Sequence, residues 1–226
     1  MGKTIQITAN DGHNLSAYVA EKPGNERWAV VIQEAFGVND HIRNVCDRFA
    51  DKGLNVIAPA VFDRVERDLV LPYSPEGVSR YTEIRKALRK EDVLLDVVAA
   101  ADATGSERTG IVGYCFGGTV SWWAATETSR FAAASCWYGG GIFAEKTAKP
   151  NCPVQMHFGG MDTHIPLEHV DAIRKQHPEV ELWVYEEAEH GFGCDARPSF
   201  HEESYTLALQ RTLVFFEKNL DVKTAR

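Results

Sequence analysis

Apolar and polar residues alternate over 4–8 and again over 14–20, on either side of Asn10-Asp11-Gly12, which predicts an opening β-hairpin. Trp28 to Ile32 is unbroken apolar sequence, the pattern of a central strand buried on both faces. Ile42, Val45, Cys46 and Phe49 then recur at i, i+3, i+4 and i+7, predicting a helix that ends near Gly53. Leu54 to Ala58 reads as another strand, stopped by Pro59. Prolines and mixed charge make 59–75 a long loop, and a helical pattern follows from about Pro75 to Ala103, in one or two pieces. A strand at 109–112, a helix after Cys115, and strands near 131–138, 153–158 and 181–186 complete the centre of the chain. A helix near 166–176 separates the last two strands. The final helix covers 200–219, with Leu207, Leu209, Leu213 and Phe216 among its apolar positions. This alternation predicts an α/β fold, a mostly parallel sheet wrapped by helices on both faces. No repeat, low-complexity tract or linker interrupts it, so one domain over 1–226 is expected.

Composition changes this picture little but narrows the partners. Hydrophobic residues make up 44% and charged residues 25% of the 226, ordinary for a globular chain. The formal net charge of −8 argues against general affinity for nucleic acid or an anionic membrane surface. Residues 1–10 lack the apolar core of a signal peptide and no run is long enough to span a bilayer, so a cytoplasmic location is expected. The five cysteines (46, 115, 136, 152 and 194) show no C-x-x-C spacing and suit a reducing compartment where free thiols persist.

The candidate chemistry centres on Gly113-Tyr114-Cys115-Phe116-Gly117, between the strand at 109–112 and a helix. This is the G-x-S-x-G strand-turn-helix pattern with cysteine in the nucleophile position, the flanking glycines allowing a sharp turn. By itself the motif leaves a buried structural cysteine as an equal alternative. A nucleophile needs a base and an orienting acid, in the order nucleophile, acid, histidine for an α/β hydrolase. Asp162 follows the strand at 153–158 and Gly159-Gly160; His190 follows the strand at 181–186. Each falls beyond the carboxyl end of a strand, where open α/β sheets bind ligands. Glu34 ends the Trp28–Ile32 strand at the same mouth, with a salt bridge or cap as its ordinary role. The backbone N–H groups of Ala35 and Phe116 are the candidate oxyanion hole. His157, His164 and His169 match no ligand spacing, so no metal and no cofactor are expected.

Gln33-Glu34-Ala35-Phe36-Gly37, Gly113-Tyr114-Cys115-Phe116-Gly117-Gly118, Asp162 and His190-Gly191-Phe192 together resemble the dienelactone hydrolase (carboxymethylenebutenolidase) family over about 4–219. The resemblance implies an α/β-hydrolase fold without a large lid domain. It also implies Cys115 as nucleophile, His190 as base, Asp162 as its orienting acid, and Glu34 as an extra carboxylate that helps generate thiolate. The implied reaction opens an enol-lactone to maleylacetate through an acyl-enzyme. Family members bind the substrate carboxylate with arginines. Here Arg80, Tyr81, Arg85 and Arg197 are the candidates, but Cys194 stands four residues past His190 where the family has one of those arginines. Trp137-Tyr138-Gly139 replaces the family's Tyr-Tyr-Gly, so Trp137 is expected to reshape the pocket. A general carboxylesterase or thioesterase, and a non-catalytic binding protein of the same fold, are the alternatives.

Overall fold

The computed structural model describes residues 2–221 and places eight strands in one sheet, in the order β1-β2-β4-β3-β5-β6-β7-β8. The hairpin β1 (Lys3–Thr8) and β2 (Asn14–Ala20) turns at Gly12, whose φ of +87° suits glycine. It pairs antiparallel with the edge of β4 (Leu54–Pro59). From β4 onward the pairing is parallel, through β3 (Arg27–Ile32), β5 (Thr109–Tyr114), β6 (Phe131–Trp137), β7 (Val154–Gly159) and β8 (Glu181–Tyr185). Every residue of β4, β5 and β7 is buried, the polar Asn55, Thr109, Gln155 and His157 included.

Helices cover both faces. On one side α1 (Asp40–Asp51) packs on β2 and β4, and α6 (Glu202–Leu220) packs on β3, β5, β6 and β7. On the other, α3 (Lys90–Ala103) and α4 (Phe116–Glu127) pack together and against the sheet. Sequence patterning locates α5 (Leu167–Gln176) as well. The helical stretch 75–103 is two helices, α2 (Pro75–Ala87) and α3, parted by Leu88 and Arg89 in extended backbone.

Two short segments depart from expectation. Residues 59–75 are not a plain solvent loop: a 3₁₀ turn at Val61–Arg64 buries Val61, Phe62 and Asp63. A second 3₁₀ turn, Ile142–Glu145, borders the cleft described below. Such turns have no apolar periodicity long enough to read. Among the described residues no helix is long and apolar enough to cross a membrane.

Candidate active site

β5 ends at Tyr114 and α4 begins at Phe116, leaving Cys115 alone to make the turn. It does so at φ 55°, ψ −112°, a conformation an L-residue holds only under constraint, at about 1–3 kcal/mol. The constraint is visible. Cys115 N–H donates to the Trp137 carbonyl at 3.0 Å, and its carbonyl accepts from Thr119 N–H at 3.3 Å. The flanking glycines let the backbone close up: a Cβ on Gly113 would lie 2.0 Å from the Gly117 carbonyl oxygen, and one on Gly117 2.3 Å from that of Ile32. The thiol thus projects, half-buried, from the start of α4, whose N-terminal end favours negative charge.

The carboxyl ends of β7 and β8 supply the partners. His190 Nε2 is 3.3 Å from Cys115 Sγ, and His190 Nδ1 is 2.7 Å from Asp162 Oδ2. Asp162 Oδ1 accepts from the backbone N–H groups of His164 (2.8 Å) and Ile165 (3.1 Å). Burial opposes the Asp162 charge, but the bonds from His190 and the two N–H groups hold its carboxyl below the usual range. Burial likewise opposes a charged imidazole at His190. Hydrogen bonds to Asp162 and Cys115 outweigh it and raise His190 to about 10. The three residues form one connected line, and none is displaced from its partner.

Cys115 and His190 open on a cleft of about 480 Å³ whose lining includes Ala35, Phe36, Tyr81, Arg85, Phe116 and Arg197. Ala35 and Phe116 line the same cleft, and no hydrogen bond from either backbone N–H is found among the described residues. Tyr81 and Arg85 share one face of α2, four residues apart. Arg85 is held over the rings of Phe116 (5.5 Å) and Trp123 (5.3 Å). Arg197 arrives by two successive turns after Gly191, Cys194 N–H to the Gly191 carbonyl and Arg197 N–H to the Cys194 carbonyl. Gly191, at φ +78°, leaves room for it: a Cβ there would meet the Arg197 guanidinium at 2.4 Å.

Two sequence expectations need correction, those for Arg80 and Trp137. Arg80 is absent from the cleft; one residue from Tyr81, it points about 100° away and pairs with Glu66 and Glu83, each at 2.6 Å. Trp137 does not shape the cleft either. It is wholly buried at the end of β6, stacked on Phe192 and donating its indole N–H to Thr212. Glu34 makes no hydrogen bond to Cys115 among the described residues. Its Oε2 accepts from the Tyr73 hydroxyl at 3.4 Å, and Arg197 Nη1 stands 3.8 Å from Oε1. Here the thiol is paired with His190, and the carboxylate faces Arg197.

Sequence reasoning also passed over Tyr73 and weighed His164 only as a metal ligand. Tyr73 carries no motif, and its contact with Glu34 depends on the path of the 59–75 segment. His164 lines the cleft with its ring 5.1 Å from that of His190. The histidines weighed as ligands are dispersed: His157 is buried between Tyr185 and Gln155, and His169 stacks on Phe143.

Comparison with known proteins gives a consistent answer. The dienelactone hydrolase family model matches residues 15–220. A Yersinia pestis protein named provisionally as a carboxymethylenebutenolidase is 32% identical, over 93% of this chain and 86% of its own. A Synechocystis protein (strain ATCC 27184 / PCC 6803 / Kazusa) of the same provisional name is 32% identical, over 96% of this chain and 98% of its own. The crystal structure of a provisionally named dienelactone hydrolase from Klebsiella pneumoniae superposes with a TM-score of 0.81 at 29% identity, covering 96% of this chain and 99% of that one. With an eight-stranded α/β-hydrolase sheet, no lid domain, and matches along almost its whole length, this chain belongs to the dienelactone hydrolase family and is a hydrolase of esters or lactones.

Proposed function

We propose that this hydrolase opens a carboxylate-bearing enol-lactone, of the dienelactone-to-maleylacetate type, through an acyl-enzyme on Cys115. One observation carries the reading: the 3.3 Å approach of Cys115 Sγ to His190 Nε2 at an open cleft, with Asp162 gripping the other ring nitrogen. Asp162 orients the imidazole and stabilises it once Nε2 holds the thiol proton, so that sulfur attacks the lactone carbonyl as thiolate. The resulting oxyanion accepts from Ala35 and Phe116 N–H. Collapse breaks the acyl–oxygen bond, expels the ring oxygen as an enolate and leaves a thioester. Either the imidazolium protonates the enolate and His190 then takes the proton of the attacking water, or the enolate takes that proton itself; the thioester C–S bond breaks and the acid product leaves with Cys115 free. One water is consumed.

Arg85 and Arg197 support an anionic substrate, since both cations face a cleft walled by Phe36, Tyr81, Phe116 and Trp123. Glu34, beside Arg197, is read as a positioning carboxylate for that guanidinium. The test has two arms. Cys115→Ala should lower turnover at least about 10⁴-fold while the circular dichroism spectrum and melting temperature stay near those of the parent. Persistent turnover in that variant refutes the cysteine mechanism. Carboxylate-bearing lactones should exceed neutral aryl esters in kcat/KM, and equal rates would leave the general esterase reading in its place.

A further inference from the structure

Next to Arg197, three buried side chains converge: Glu34 after β3, His41 in the first turn of α1, and Cys194 in the loop after His190. A carboxylate oxygen, a ring nitrogen and the sulfur lie within 4.8 Å of one another. Glu34 is 1% and His41 4% exposed. Two of their atoms are buried with no hydrogen-bond partner, Glu34 Oε1 and His41 Nε2. Arg197 reaches Oε1 only at 3.8 Å, too long for a hydrogen bond.

His41 is held from outside the cluster. Its Nδ1 is 2.8 Å from Asp195 Oδ1, and Arg48 donates to Asp195 Oδ2 at 2.6 Å. With Nδ1 engaged by that carboxylate, Nε2 is the ring nitrogen left without a hydrogen-bond partner. The carboxylate, the imidazole and the sulfur therefore meet with two buried atoms, Glu34 Oε1 and His41 Nε2, lacking a hydrogen bond, an arrangement costly to leave unsatisfied. A carboxylate behind a histidine that aims its other nitrogen at a common point is the usual support of a metal ligand.

We infer that Glu34, His41 and Cys194 form a binding site for a borderline-soft divalent cation such as Zn²⁺. These are the oxygen, nitrogen and sulfur donors that such an ion takes together. Tetrahedral bonds of about 2.0–2.3 Å require the donors to close by about 1 Å, a movement side-chain rotation supplies. In the metal-free cluster Cys194 S–H donates to the Tyr73 hydroxyl at 3.3 Å. As the sulfur–metal bond forms, that proton leaves to solvent, and no electron is transferred. Water fills the fourth position beside Tyr73. Entry is from a surface hollow of about 310 Å³ lined by Asn39, His41 and Tyr73, on a route that does not pass Cys115.

The test is a Co²⁺ titration of the Cys115→Ala protein, which lacks the cleft thiol and keeps every proposed ligand. One ion per chain should bind with a thiolate-to-cobalt charge-transfer band that Zn²⁺ displaces. Adding His41→Ala or Cys194→Ser should weaken binding at least tenfold and, for Cys194→Ser, remove the band. Asp195→Asn should weaken it about 10–100-fold, as supporting carboxylates do. Absence of the band in the Cys115→Ala protein, or its retention after Cys194→Ser, overturns the site. Should either double variant fail to fold, Zn²⁺-soaked crystals of the unaltered protein decide: an anomalous peak among the three side chains is expected, and a water there refutes the inference.

Discussion

At the scale of single residues, His190 sets a pH signature. Its folded pKa of about 10 lies above the ordinary 6.5, so the charged imidazole stabilises the native state fully below about pH 6.5. That contribution is lost as pH rises through about 10. Asp162 works in the opposite direction: its lowered pKa adds stability above the usual carboxylate range, lost as pH falls. Melting curves should therefore show His190→Gln most destabilised relative to the parent near pH 6, the gap closing as pH 10 is approached. A gap that does not vary with pH would contradict the Asp162 and Cys115 bonds to His190. Gly191 offers a second residue-scale prediction. Gly191→Ala both strains a φ of +78° and pushes against the Arg197 guanidinium, so it should raise KM for an anionic substrate more than it lowers kcat.

Among the elements, the β5–α4 turn and α2 do the positioning. Gly117→Ala would set a methyl 2.3 Å from the Ile32 carbonyl, forcing α4 away from β3. We expect a cost of about 1–3 kcal/mol, read by urea unfolding, with loss of turnover as the Phe116 N–H shifts. On α2 the contrast lies between neighbours. Arg85→Ala should lower kcat/KM for a carboxylate-bearing lactone, because Arg85 lies over Phe116 and Trp123 in the cleft. Arg80→Ala, whose two ion pairs are on the exposed side, should leave kcat/KM unchanged and shift stability by less than about 0.5 kcal/mol. Five residues along the helix turn the two side chains about 140° apart, and that rotation separates the two outcomes.

Across the whole molecule, Arg64 joins distant parts of the chain. It bonds Asp96 on α3 through Nε (2.9 Å) and Nη2 (2.6 Å) and also pairs with Asp11 in the opening hairpin. Asp96 is completely buried, so Arg64→Ala would strand a carboxylate in the interior. Removing one partner of such a pair costs about 3–5 kcal/mol, which thermal denaturation would report. The same wiring explains why the segment 59–75 is more than a connector: its 3₁₀ turn carries Arg64 to the hairpin and α3, and its far end carries Tyr73 to Glu34.

The strands and helices were legible because each obeys a local rule. A doubly buried strand is mostly apolar, an amphipathic helix repeats every three to four residues, and Gly-x-Cys-x-Gly marks a forced turn. Cys115, Asp162 and His190 could be found for the same reason, each being tied to a strand end in a fixed order. Direction and distance obey no local rule. Arg80 and Arg85 look alike in one dimension, and nothing near Trp137 announces that β6 seals it from the cleft. Arg197 reaches the cleft because two turns fold it back over Gly191, and Glu34 meets Tyr73, Arg197, His41 and Cys194 because three segments, the β3–α1 connection, 59–75 and the loop after His190, come together at one place. Local periodicity fixes which face of an element is apolar. Long-range packing alone decides which charged side chains share a cavity, since those contacts join residues far apart in the chain.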